Sequence, residues 1–151
     1  MRCWVKITAV TTQKNEGAFL LEWIAYYKIL GFAELVILSN DGEDGSDEML
    51  DHLSKSGAII HLRNNGPYDD RGIQFAALKR ADRQKAVKEA DWIMHLDIDE
   101  FLNIHVGDGQ IGDLITALPE ADAIALTWWM FGNNGIIEFK DRLITDQSAL
   151  A

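Results

Sequence analysis

Two aspartates one residue apart, Asp97 and Asp99, are the side chains best suited to chemistry in this sequence of 151 residues. They follow an apolar stretch within Leu96-Asp-Ile-Asp-Glu-Phe-Leu102. Carboxylates at this spacing can share one hard divalent cation and leave its other positions to water or phosphate oxygens. The apolar strand before them and Phe101 after them place the pair on a rigid element, so we predict a metal site at Asp97 and Asp99. Glu100 is either a third ligand or a residue that orients the loop.

The overall charge restricts the partners of this chain. A formal net charge of -10 disfavours binding to nucleic acid, which depends on clustered Lys and Arg. A phosphorylated small molecule remains compatible with that charge, because one bound cation neutralises a diphosphate locally. The lone Cys3 cannot form an internal disulfide and favours a cytoplasmic setting, and no segment approaches the ~20 apolar residues that span a membrane.

Strands and helices alternate in the predicted secondary structure. Apolar runs predict strands over 4–10, 35–38, 58–60, 92–96 and 123–129. Helical spacing predicts helices over 19–30, 46–56, 73–90 and 111–118, with Ser46 as the cap of the second. This alternation is typical of an α/β fold with a mostly parallel sheet and helices on both faces. We expect a single domain over residues 1–151.

Three polar segments follow strands of this sheet, at 11–16, 40–44 and 97–100. The carboxyl ends of parallel strands lie at one edge of a sheet, where ligands of α/β proteins bind. The sequence therefore predicts that these three segments line one cleft.

Other candidate residues have a simpler structural interpretation. His95 lies in an apolar strand and is expected to be a hydrogen-bonded core residue. The aromatic residues Trp128, Trp129 and Phe131, with the turn at 132–135, form either a sugar-stacking platform or part of the core, and we expect at least one Trp in the core. The sequence contains no Gly-x-Gly-x-x-Gly, no Walker motif and no convincing Ser-His-Asp set.

Segments 14–16, 37–46 and 92–102 together resemble glycosyltransferases of the family 2 type. The resemblance is to the subgroup in which Asp-x-Asp extends to Asp-x-Asp-Glu-Phe, similar to family 92-like enzymes, and it reaches the Trp-x-x-Phe-Gly turn at 128–132. It implies a GT-A (Rossmann-like) fold, a nucleoside diphosphate sugar donor, Mn²⁺ or Mg²⁺, and a saccharide or glycan-precursor acceptor. In related enzymes the catalytic base lies well downstream, so the resemblance also implies a domain that is incomplete at its C-terminus.

The resemblance also implies roles for individual residues. Asp99 would ligate the metal, and Asp97 would contact the metal, its bound water or the ribose. The remaining donor-site residues carried over from the resemblance are Thr11, Asn15, Glu16, Asn40, Asp41 and Gln74.

Three alternatives to a transferase are open at this point. The chain can be a nucleotide-sugar-binding module without catalytic activity. It can be a haloacid-dehalogenase-like phosphatase with Asp97 as nucleophile, although that motif normally follows the first strand. Finally, the acidic loops can be no more than solvated caps on a stable domain.

Overall fold

The computed structural model describes residues 5–132, 135–138, 140–147 and 149–150. Four parallel strands form a sheet in the order β3-β2-β1-β4, namely β1 (Ile7–Gln13), β2 (Glu34–Ser39), β3 (Ile60–Arg63) and β4 (Trp92–His95). The helices are α1 (Gly17–Ile29), α2 (Ser46–Lys55), α3 (Gly72–Ala81), α4 (Lys85–Lys88), α5 (Ile111–Ala117) and α6 (Ile144–Gln147). A separate antiparallel pair joins β5 (Phe131–Gly132) to β6 (Ala149–Leu150). The predicted α/β architecture is confirmed and is consistent with a Rossmann-like fold.

Helices cover both faces of the parallel sheet. On one face, α1, α2 and α5 bury Trp23, Leu50 and Ile111 together with Leu35 and Ile37 of β2. On the other face, alanines of α3 and α4 pack against strand residues; this second cluster comprises Val10, Val36, Leu38, Ala77, Ala81, Ala86 and Val87. Successive residues of β2 therefore alternate between two buried faces, which explains its continuous apolar run.

Strands β1 and β3 both begin and end later in the sequence than predicted. β1 continues to Gln13 because Thr11, Thr12 and Gln13 pair with the end of β2. β3 starts at Ile60, where its residues pair with Val36 onwards. In both cases the backbone ladder sets the strand boundary, whereas the prediction followed the apolar side chains alone.

The predicted helix over 73–90 is two helices. The first helix ends at Ala81, and Gln84, whose backbone is extended (ψ 141°), directly precedes α4. The break lets α4 turn onto the sheet, where Thr8 Oγ1 donates to the carbonyl of Ala86 at 2.9 Å.

The predicted strand over 123–129 is absent, since this segment has no regular secondary structure. Trp128 and Trp129 are 77% and 75% exposed, so the expectation of a core Trp is wrong. His95 is also exposed, contrary to the prediction of a core histidine. Trp4, where the first strand was predicted to begin, and the central residues 133–134 of the predicted turn lie outside the described residues.

A network of side-chain hydrogen bonds joins α2 to β3 and β2. Asp51 Oδ1 lies 2.7 Å from His61 Nδ1, and His61 Nε2 lies 2.9 Å from Ser39 Oγ. Arg63 Nη2 donates to the other carboxylate oxygen of Asp51 at 2.7 Å. This Ser-His-Asp arrangement was not found from the sequence, but Ser39 is fully buried. A nucleophile at this position has no access to substrate, so these hydrogen bonds serve to connect α2, β3 and β2.

No helix in the described part of the chain is long and apolar enough to cross a membrane.

Candidate functional site

Carboxylates from three separate segments converge at the carboxyl edge of the sheet. The pKa of Glu16, which follows β1, is raised by burial and then by the negative charges of Asp99, Asp97 and Asp44. The contacts agree with this effect: β1 lies between β2 and β4 in the parallel sheet, so the loops after these strands leave the same edge, and Asp44 accepts the N–H of Gly17. The predicted meeting of these segments at one edge is confirmed.

The Asp-Ile-Asp segment forms a turn whose aspartate side chains are exposed to solvent. Ile98 is buried between the exposed Asp97 and Asp99. Glu100 Oε2 accepts the backbone N–H of Asp97 at 2.9 Å, and the N–H of Glu100 donates to the Asp97 carbonyl at 3.2 Å. Glu100 therefore orients the loop, which was one of the two roles considered for it.

Aromatic side chains of α1 hold the backbone of this turn. Trp23 Nε1 donates to the Asp97 carbonyl at 3.0 Å, and the Tyr27 hydroxyl donates to the Glu100 carbonyl at 3.0 Å. The Tyr26 hydroxyl donates to the carbonyl of Leu102 at 2.8 Å. Positions three and four residues apart share one helix face, so the three rings reach the same segment. Trp23 and Tyr27 fall within the helix that apolar spacing predicted over 19–30, but that spacing gives no information about the hydrogen-bonding atoms of their rings.

The donor set at Asp97 and Asp99 fits a metal that is bound jointly with substrate. Neither carboxylate forms a hydrogen bond or an ion pair with another described residue. Among the described residues, no group of three or more His, Cys, Asp or Glu is arranged to hold a metal ion. Mg²⁺ is commonly held by one or two carboxylates, with substrate phosphates and water completing its coordination. The metal site remains a prediction.

Asp44 connects the loop after β2 to the start of α1. Its Oδ2 accepts the N–H of Gly17 at 2.9 Å and its Oδ1 accepts the N–H of Ser46 at 3.1 Å. Hydrogen bonds from Ser46 and Gly17 hold the pKa of Asp44 below its usual range. A Cβ at Gly17 would lie 3.0 Å from Asp44 Oδ2, so this contact favours glycine. The prediction that Ser46 caps α2 is wrong, because Gly45 occupies the N-cap position and Ser46 is the first helical residue. The Ser46 hydroxyl accepts a hydrogen bond from Gln13.

Two of the predicted donor-site residues have a left-handed backbone. Asn15 has φ 57° and Asp41 has φ 48°, and they are the non-glycine residues with positive φ in the described part of the chain. Asn15 Oδ1 also accepts the backbone N–H of Glu43 at 2.8 Å, which links the loops after β1 and β2. Such backbone conformations cluster at ligand-binding sites, where the surrounding structure holds them in place.

Two other predicted donor-site residues are buried beneath this edge of the sheet. Thr11 and Asn40 are 0% and 6% exposed. Asn40 Oδ1 accepts a hydrogen bond from Asn64 Nδ2 at 2.7 Å, and Asn64 Nδ2 also donates to the Ile73 carbonyl at 3.2 Å. Asn64 thereby links β2 to the start of α3, where Gln74 is exposed. Asn64 lies between the predicted strand over 58–60 and the predicted helix over 73–90, and no sequence pattern indicated this role. Ligand contacts by Thr11, Asn40 and Gln74 remain predictions.

Replacing Glu16 with Gln is expected to raise the melting temperature of the metal-free protein at pH 7. The folded-state pKa of Glu16 is above its usual value, so its contribution to stability is lost as pH rises through that pKa. The variant has no such loss, and its advantage should vanish below about pH 4, where the carboxyl group is protonated in both states. Thermal unfolding from about pH 3 to pH 8, which includes the region where the carboxyl group is protonated in both states, measures this difference. A variant no more stable than wild type at pH 7 would show that burial and the neighbouring carboxylates do not raise the pKa of Glu16.

The fold and this edge define a class of protein: a parallel α/β domain with acidic side chains gathered at the carboxyl edge of its sheet. Residues 8–143 match the family model of glycosyltransferase family 92, and the chain belongs to that family. The chain is 29% identical to a glycosyltransferase family 92 protein of Ricinus communis over 113 residues, which are 72% of this chain and 18% of that protein. It is 26% identical to one of Oryza sativa subsp. japonica over 141 residues, which are 89% of this chain and 23% of that protein. It is 30% identical to a glycosyltransferase family 92 protein of Arabidopsis thaliana over 90 residues, which are 58% of this chain and 14% of that protein. The chain thus spans about a fifth of the length of its first two relatives.

Proposed function

We propose that this chain is the donor-binding part of a metal-dependent glycosyltransferase with a GT-A fold. The observation that carries the proposal is the Asp-Ile-Asp turn, which exposes Asp97 and Asp99 at the carboxyl edge of the sheet while α1 holds its backbone. Family membership gives independent support and favours a transferase over a haloacid-dehalogenase-like phosphatase. The substrate would be a nucleoside diphosphate sugar, and the acceptor a saccharide or glycan precursor.

The residues of the chain would bind and orient the donor. Asp97 and Asp99 would hold Mn²⁺ or Mg²⁺, and the ion would stabilise the negative charge that develops on the leaving diphosphate. Because Trp23, Tyr27 and Glu100 already hold the turn, binding would require little ordering of this loop. Asn15, Glu16 and Asp41 border the same edge and would contact the nucleoside.

Calorimetric titration of the protein with UDP and with GDP, in the presence and absence of Mn²⁺, tests the proposal. We expect at least one nucleotide to bind with Mn²⁺ and to bind much more weakly when EDTA is present. If neither nucleotide binds under any condition, the proposed function is wrong. Adding a nucleoside diphosphate sugar with candidate acceptors then separates a transferase from a binding module, since only the transferase releases nucleotide.

A further inference from the structure

One side chain, Tyr68, joins the loop before α3 to the loop after β2. Its hydroxyl lies 2.8 Å from Asp41 Oδ2 and also contacts the carbonyl oxygen of Asn64. Tyr68 is half-buried, whereas Asp41 is exposed at the sheet edge. The contact crosses between segments that are 27 residues apart in the sequence.

The phenol has two acceptors and one proton. It can donate fully to only one of them at a time, and the ionised carboxylate is the stronger acceptor. The Asn64 carbonyl provides a second acceptor that the hydroxyl reaches by rotation about its C–O bond. Tyr68 can therefore hold the Asp41 carboxylate before a ligand arrives and adjust when a ligand donor competes for it.

The backbone around Asp41 is fixed independently of Tyr68. Asn40 is buried and hydrogen-bonded to Gln13 and Asn64, and Asp44 is bound to Gly17 and Ser46. These contacts hold the loop on both sides of Asp41, whose own φ of 48° is in the left-handed region. With the backbone held, the Asp41 carboxylate can still change its orientation by rotation of the side chain, and the hydrogen bond from Tyr68 restricts this rotation.

We propose that Tyr68 is a positioning residue that orients the Asp41 carboxylate for recognition of the nucleoside part of the donor. The inference rests on the proposed function, because it concerns the same donor site. It assigns to Tyr68 a role in binding the base or ribose and no role in binding the metal or the diphosphate.

The test uses Tyr68→Phe, which removes the hydroxyl and keeps the ring. We expect the variant to bind the nucleotide preferred by wild type, in the presence of Mn²⁺, about threefold to tenfold more weakly, which is the effect of losing one ordinary, solvent-accessible hydrogen bond. Binding of Mn²⁺ with inorganic pyrophosphate, which has no nucleoside, should be unchanged. A purely structural role would weaken both ligands alike.

A double-mutant cycle with Asp41→Gly provides the second readout. Glycine removes the carboxylate and accepts the positive φ at this position without strain. In the Asp41→Gly background, Tyr68→Phe should have no further effect on nucleotide binding, because its partner is gone. Thr116→Val serves as the matched control, since it removes a hydroxyl that donates to Gly112 on the distant helix α5. Melting temperatures of all variants check that each is folded.

The outcomes separate the two proposals. If wild type binds no nucleotide with Mn²⁺, the proposed function fails and the role of Tyr68 fails with it. If wild type binds but Tyr68→Phe binds equally well, or weakens pyrophosphate to the same degree, only the role of Tyr68 is overturned. Equal effects of Tyr68→Phe with and without the Asp41 carboxylate would overturn it as well.

Discussion

Replacing both Asp97 and Asp99 with Asn is expected to weaken Mn²⁺-dependent nucleotide binding by about a hundredfold or more, since even residues that only orient metal ligands cost 10–100-fold. Asparagine preserves the shape of each side chain and removes its negative charge. The turn itself should persist, because it is held by the backbone contacts of Trp23 and Tyr27 and by the side chain of Glu100. A loss of nucleotide binding would therefore result from removal of the carboxylates and not from unfolding of the loop.

Calorimetry with Mn²⁺ and UDP or GDP measures this effect, with the melting temperature as a check on folding. Asp108→Asn with Asp122→Asn is the matched control, because both residues are exposed and the pair changes the net charge by the same amount. That control should bind nucleotide as wild type does. Unchanged binding by the Asp97, Asp99 variant would exclude the Asp-Ile-Asp segment as the metal site.

Replacing Trp23 with Ala is expected to lower the free energy of unfolding by about 3–5 kcal/mol, the usual cost of removing a large buried aromatic side chain. Trp23 is 0% exposed, and its ring centroid lies 4.5 Å from that of Tyr27. The substitution also leaves the Asp97 carbonyl without its donor. Trp23→Phe keeps most of the ring and loses the indole N–H, so we expect a smaller loss, of about 1–3 kcal/mol.

Urea unfolding at constant pH measures both changes. Trp129→Ala is the matched control, because Trp129 is 75% exposed and its removal should change stability by no more than about 0.5 kcal/mol. Trp23→Phe should also reduce Mn²⁺-dependent nucleotide binding, since the turn would lose a fixed point of its backbone. A Trp23→Phe variant with wild-type stability and wild-type binding would show that the indole contact does not hold the turn.

Much of the fold follows from local patterns in the sequence. The apolar run at 35–38 predicted a strand, and the structure forms β2 there, buried on both faces. The helical spacing from Phe19 to Leu30 predicted α1, which covers Gly17–Ile29. These predictions succeeded because burial of periodic apolar side chains determines such elements. The segment at 123–129 has the same apolar character but forms no strand, because an apolar run needs a pairing partner as well as a suitable composition.

The sequence by itself determined which residue types stand at the ends of the parallel strands, and so predicted that Glu16, Asp97 and Asp99 would share one edge. Only the tertiary structure decided how these loops are held. Trp23 contacts Asp97 across 74 positions, and Asn64 contacts Asn40 across 24. No local periodicity encodes a hydrogen bond between such distant positions. The partners meet because the sheet order β3-β2-β1-β4 brings their elements together.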